Sequence, residues 1–146
     1  MFLKRLGILH AALVLGLLAF AAISYFFGEG FISNFEGNTD IFVYIVPLIA
    51  LSGYFGSIFL FKKQVQNIGN SEPLPTKLAK YQRATITKYA FIEGPALLIF
   101  FEFMRTGYAL YFTIACCLVL YLTVQRPNKD KLIQDLHLNP DEQQQL

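Results

Sequence analysis

Four apolar blocks divide this chain, at about 6–27, 41–61, 84–104 and 108–124, and each approaches the roughly 20 residues a helix needs to cross a bilayer's hydrocarbon core. Within a block the apolar residues form no single stripe. They surround the helix axis, as suits a helix whose solvent is lipid. Hydrocarbon offers no partner to a backbone amide, so a chain that crosses it singly must do so as a helix. Composition agrees: of 146 residues, 55% are hydrophobic and only 15% charged, far from the balance of a soluble domain. The expected fold is all-α, an integral membrane four-helix bundle over 1–126, followed by a short cytoplasmic amphipathic tail at 127–146.

The first block has a second reading. Lys4 and Arg5 precede it, and Ala19-Phe20-Ala21 has the small residues of a secretory cleavage site. The apolar run continues to Phe27, so it is read as an uncleaved span. Orientation follows from the cations, which resist translocation. Eleven of the twelve lie before the first block, from the end of the second to the first turns of the third, where Lys88 is the last, or after the fourth; Arg105 is the exception. The loop after the first block has none and carries Glu29, Glu36 and Asp40. Both termini are therefore expected in the cytoplasm. The basic second loop, with Lys62, Lys63, Lys77, Lys80, Arg83 and Lys88, is what insertion asks of such a protein, and is read so rather than as a nucleic-acid patch or an anionic-lipid site.

The connecting segments carry their own signals. In "GEGFISNFEGNTD", Phe31, Ile32 and Phe35 are expected to lie on the headgroup layer as one helical turn, with Thr39 or Asp40 capping the second helix. The three carboxylates lack the spacing of a calcium loop. "NIGNSEPLPT" is a turn, and Pro75 suits a first helical turn. From Thr76 to Met104 a helix of about 30 residues reaches roughly 45 Å, against roughly 30 Å of hydrocarbon, so the third helix should protrude. Arg105-Thr106-Gly107 is short enough to force antiparallel neighbours, with Gly107 as left-handed cap. In the tail, Leu132, Ile133 and Leu136 share a helix face, and Asn139-Pro140-Asp141-Glu142 reads as a helix start; the tail is expected to dock on the bundle or on a partner. Helix contacts are sought where small residues repeat at four, in Ala12/Gly16, Ser52/Gly56 and Gly53/Ser57. Tyr25, Phe26, Phe42, Tyr44, Tyr108 and Tyr111 form an aromatic belt at the outer ends.

Glu93, in "KYAFIEGPALLIFF", is the residue hardest to accommodate. The last cation of each span serves as a depth ruler: Glu93 is five beyond Lys88, His10 five beyond Arg5, Ser57 five before Lys62 and Tyr121 five before Arg126. All four fall roughly 7–8 Å inside the boundary, one per helix. Polar groups at that depth are stable only with partners. Glu93, His10, Ser57 and Tyr121 are therefore the candidate intramembrane site, with Glu93 neutral and hydrogen-bonded or paired with His10. Pro95 removes a helix donor, which makes Gly94-Pro95 a candidate kink and hinge. Two uses stay open, a proton site that changes state during a cycle and a protonated group that locks the helices in register. Pro47 is a weaker kink candidate. Glu102, three before Arg105, is expected in an interfacial ion pair.

Catalytic spacing is not apparent. Cys116 and Cys117 are adjacent inside the fourth block, unlike the spaced pairs of thiol oxidoreductases or zinc sites. There is no glycine-rich phosphate loop, nucleophile elbow or metal-spaced histidine pair, and His137 stands alone in the tail. The expectation is no enzyme, no metal and no cofactor.

"AFIEGPALL" followed after the next span by "RPNKDKLIQDLHL" resembles small four-helix inner-membrane proteins of bacteria. The resemblance covers the second half of the chain, implies a bacterial inner-membrane location and brings no activity. Small multidrug exporters are similar in having four short helices and one membrane glutamate, but theirs is in the first helix and Glu93 is in the third. Rotary proton-carrier subunits have a glycine-repeat helix that this chain lacks. The functional expectation is an accessory or interaction subunit of a membrane assembly, whose partners are the lipid bilayer and a second copy or another membrane protein, not nucleic acid. The alternative is a proton-coupled transporter or channel, a homo-oligomer working through Glu93 and His10.

Overall fold

Long apolar stretches with few side chains to compete for backbone hydrogen bonds satisfy their amides most simply as α-helices. The computed structural model, which describes residues 2–32 and 41–146, is helical throughout those blocks. The elements are α1 (Phe2–Phe27), α2 (Phe42–Gln66), α3 (Leu74–Thr106), α4 (Ala109–Val124), α5 (Lys129–Leu136) and α6 (Pro140–Gln144). Among the described residues three helices, α1, α2 and α3, are long and apolar enough to cross a membrane. The fourth block gives only 16 residues of helix, and reaches that length only together with α5, which leaves it at 81°.

Local chemistry accounts for most helix ends. Pro75 sits in the first turn of α3, whose 33 residues make it the longest element, and Gly107 ends it at φ 79°, where a side chain would be strained. Asn128 caps α5 by accepting from the Asp130 amide at 2.8 Å. Asn139 and Glu142 complete a capping box on α6. Pro47 and Pro95 both lie inside helices that continue past them. The capping expected of Thr39 or Asp40, and the placement of Phe35, fall outside the described residues.

At the centre stands α3, which packs against α1, α2 and α4. Its seam with α2 is closest at Gly53, where a Cβ would lie 2.6 Å from the Phe91 carbonyl oxygen and 2.7 Å from Pro95 Cγ. Gly56 continues the seam against the Phe91 ring. Of the small-residue repeats, those of α2 are thus helix contacts. The Ala12/Gly16 pair is not: both are exposed, and a Cβ on Gly16 would meet nothing. Instead α1 lies parallel to α3, with His10 beside Tyr89 and Phe20 beside Phe100, and antiparallel to α4.

The main core gathers Leu17, Val46, Ile92, Ile99, Phe100 and Tyr111, all shielded from solvent. The outside is apolar too, with Leu15, Leu48, Phe55, Leu98 and Leu120 more than half exposed. At the end where α1 and α2 are connected, Ile32 forms an isolated parallel bridge with Tyr108, its amide donating to the Gly107 carbonyl at 2.6 Å. Phe31 and Ile32 are therefore not part of a helical turn; Phe31 packs on Tyr25, Phe103 and Phe112. The helical pattern failed here because an extended segment can satisfy its backbone against the α3–α4 turn. At the opposite, basic end, α5 and α6 fold back, and Leu132, Leu136 and Leu138 join Leu6, Leu74 and Tyr81 in a second core.

Candidate functional site at the basic end of the bundle

The polar residues expected at one level do not meet at one point. His10, on α1, turns its Nε2–H to the Leu122 carbonyl of α4 at 2.6 Å and leans its ring on Tyr89 at 5.2 Å. Leu122 is in the last turn of α4, where its carbonyl also accepts from the Gln125 amide at 3.1 Å, and Tyr89 donates its hydroxyl to the Gln125 carbonyl at 2.9 Å. His10 and Tyr89 thus cap α4 from two neighbouring helices. Ser57 and Tyr121 approach each other between α2 and α4, where Ser57 donates to the Tyr54 carbonyl and the Tyr54 and Tyr121 rings lie 4.8 Å apart.

Glu93 joins neither group. It is half-buried and makes no hydrogen bond or ion pair among the described residues. The reason is rotational. Phe91 and Pro95 face α2, and a residue two positions from either is about 200° away around the helix, so Glu93 points away from Ser57. His10 meets α3 one turn earlier, at Tyr89. The hydrogen-bonded or His10-paired Glu93 expected from the sequence is not formed among the described residues. Gly94 has open space around it, and Pro95 fills the notch over Gly53 while α3 runs on unbroken. Near the other end, Glu102 accepts from Arg105 at 2.8 Å, as i,i+3 spacing suggests, and Arg105 also lies over the Phe42 ring.

What the structure does assemble is a cleft of about 580 Å³ between α2, α4 and α5, just beyond Tyr121. Lys88 forms its floor. Its side chain is 5% exposed, and its ammonium lies 4.2 Å from the Phe61 ring centroid and donates to Gln125 Oε1 at 3.0 Å. Lys131 of α5 stands next to it, and Lys62 of α2 and His137 complete the rim. The carboxylate nearest by, Asp135, accepts from the Tyr81 hydroxyl at 3.0 Å. A second anchor holds the tail itself, where the almost fully buried Lys77 donates to both oxygens of Glu142 at 3.0 and 3.2 Å. That bond holds the Glu142 carboxyl below its ordinary range.

Sequence reading counted Lys88 only as a cation and a depth marker. A signal was present. The buried face of α3 runs through Lys77, Tyr81, Thr85, Lys88, Ile92, Ile99 and Phe103, at the three- and four-residue steps of one helix face, so the apolar stripe points back directly to Lys88 and Lys77. Among the described residues no group of three His, Cys, Asp or Glu side chains gathers to hold a metal ion. No known protein family, curated protein or solved structure matches this chain.

Proposed function

We propose that this chain is a multi-pass protein of the bacterial inner membrane, with both termini in the cytoplasm, that acts by interaction as an accessory or assembly subunit. The observation that carries the reading is the contrast between the sides and one end. The sides are apolar inside and out, whereas the basic end is a built platform in which the extension of α3 is clamped to α5 and α6 through Lys77–Glu142 and Tyr81–Asp135. Because the tail's apolar face is spent on that clamp, the surface left for a partner is its outward polar side together with Lys80 and Arg83 of α3. Topology is tested by single cysteines at positions 34 and 63, in a chain with Cys116 and Cys117 replaced by alanine. They should label from opposite sides of the membrane; labelling from the same side overturns the topology. A photo-cross-linker at Arg83 should give a discrete adduct in native membranes that weakens when the tail is undocked. Purification as a partnerless monomer with intrinsic catalytic activity would overturn the interaction reading.

Glu93 sustains the second reading. A carboxylic acid facing outward among exposed Ile86 and Leu97, with no partner among the described residues, is placed to meet a second copy, as a proton-coupled homo-oligomer requires. Proton uptake is then read by infrared titration of wild type against Glu93→Gln in lipid. A carboxyl band with a midpoint near neutrality supports that reading; one constant at every pH removes it.

A further inference from the structure

We infer that the cleft between α2, α4 and α5 binds the phosphate of an anionic phospholipid, with Lys88 at its floor and Lys131 and Lys62 at its mouth. The inference rests on the membrane reading proposed above and gives the platform a ligand. Its first support is an unbalanced charge. Lys88 is buried against the rings of Phe61 and Tyr89 and the amide of Gln125, with no carboxylate at ion-pair distance among the described residues. Ring faces and an amide oxygen ease the burial of an ammonium but do not neutralise it. Lys131 beside it adds repulsion, and the one carboxylate on the lining, Asp135, is shared with Tyr81. An oxyanion between Lys88 and Lys131 relieves both costs at once.

The shape argues for an amphiphile over a free anion. One wall is apolar, made by Ile58, Phe61 and Val65 of α2, while the opposite wall offers the amides of Gln125 and Gln134. The floor lies where the apolar part of α2 ends, at Phe61 followed by Lys62 and Lys63, which is headgroup depth in the proposed orientation. Beside the mouth, Ile58 and Phe59 are exposed, so a glycerophosphate can enter with its acyl chains left in lipid. About 580 Å³ is ample for such a headgroup.

The test is native mass spectrometry of the purified full chain in an uncharged detergent, titrated separately with phosphatidylglycerol, phosphatidylcholine and inorganic phosphate. One equivalent of phosphatidylglycerol should be retained at least about tenfold more tightly than phosphatidylcholine, and Lys62→Gln and Lys131→Gln should each weaken it by about tenfold. Both are exposed, so neither threatens the fold, whereas Lys88→Gln is the stronger but riskier variant. Lys63→Gln, one residue along but off the cleft, should change nothing. Equal retention of the two lipids, or phosphatidylglycerol binding undiminished in the Lys62→Gln/Lys131→Gln double variant, overturns the inference. Phosphate binding that phosphatidylglycerol does not displace overturns the lipid source in favour of a soluble anion. Alkaline carbonate extraction of membranes separates the two levels: a chain that washes off defeats the membrane reading and the inference with it, and one that stays but shows no lipid preference defeats the inference alone.

Discussion

The core in the middle of the bundle, around Ile92, Ile99, Phe100 and Tyr111, and the smaller core at the basic end, around Leu6, Tyr81, Leu132 and Leu136, are both apolar, yet what surrounds them differs. The first is wrapped in exposed apolar side chains, the second in lysines, carboxylates and amides. Under the membrane reading the first core gains little from leaving its solvent, because lipid is as apolar as leucine. It must be held by close packing, which is why its tightest seam is a glycine against a backbone carbonyl and a proline ring. The second core faces water and is held by the hydrophobic effect, with ion pairs fixing how the tail lies. The two should therefore fail to different substitutions.

The largest effect is expected at the water-facing core. Leu132→Ala removes a fully buried side chain from the tail's contact and should cost about 3 kcal/mol, enough to undock α5 and α6. Limited trypsin digestion should then cut within the tail, at Lys131, while the spans stay intact; a tail as resistant as wild type would mean that the two cores are one cooperative unit. Next comes the packing seam. Gly53→Ala forces α2 and α3 apart and should cost about 2 kcal/mol in a detergent-unfolding titration. The matching Gly16→Ala, whose Cβ meets nothing, should stay within about 0.5 kcal/mol. Equal losses at both would show that the α2–α3 contact is not the tight one.

A smaller change is expected from Asn139→Ala, which removes the cap of α6 and should cost about 1 kcal/mol, seen as faster amide exchange at Glu142. The smallest is a response to pH. The Glu142 carboxyl is held below its ordinary range, chiefly by the Lys77 bond, so it favours docking while ionised. That contribution is complete above the unfolded-state value, thus at neutral pH, and is lost as pH falls through the lowered native value. A single ion pair at the rim of the platform, partly open to water and its screening, keeps the effect small. Tail protection should weaken on acidification below the usual glutamate range, and Glu142→Gln should abolish that pH dependence; an unchanged acid response would place it on another group.

Features that depend on near neighbours in the chain were legible in advance. The helices, the long α3, the Gly107 turn, the Asn139–Glu142 capping box and the Glu102–Arg105 pair all follow from residues three or four apart or from single turn residues. The apolar face of Leu132 and Leu136 was legible too, but whether the bundle or a partner covers it was decided by the fold. The extended Phe31-Ile32 segment was misread because its partner, Tyr108, is remote in sequence.

The candidate site shows the same division more sharply. Sequence spacing set His10, Ser57, Glu93 and Tyr121 each five residues from a cation, and hence at one expected level, because rise per residue is a property of any helix. It could not say how far each helix is turned about its axis. In α3 that rotation came from the fit of Phe91 and Pro95 over Gly53, which left Glu93 without a partner among the described residues, while His10 met the end of α4 and Lys88 lay under Gln125 beside Lys131. By itself, then, the sequence determined which segments are helical and how the polar residues are spaced along them. The tertiary structure alone decided which of those groups meet, because contacts across helices depend on packing between side chains far apart in the chain.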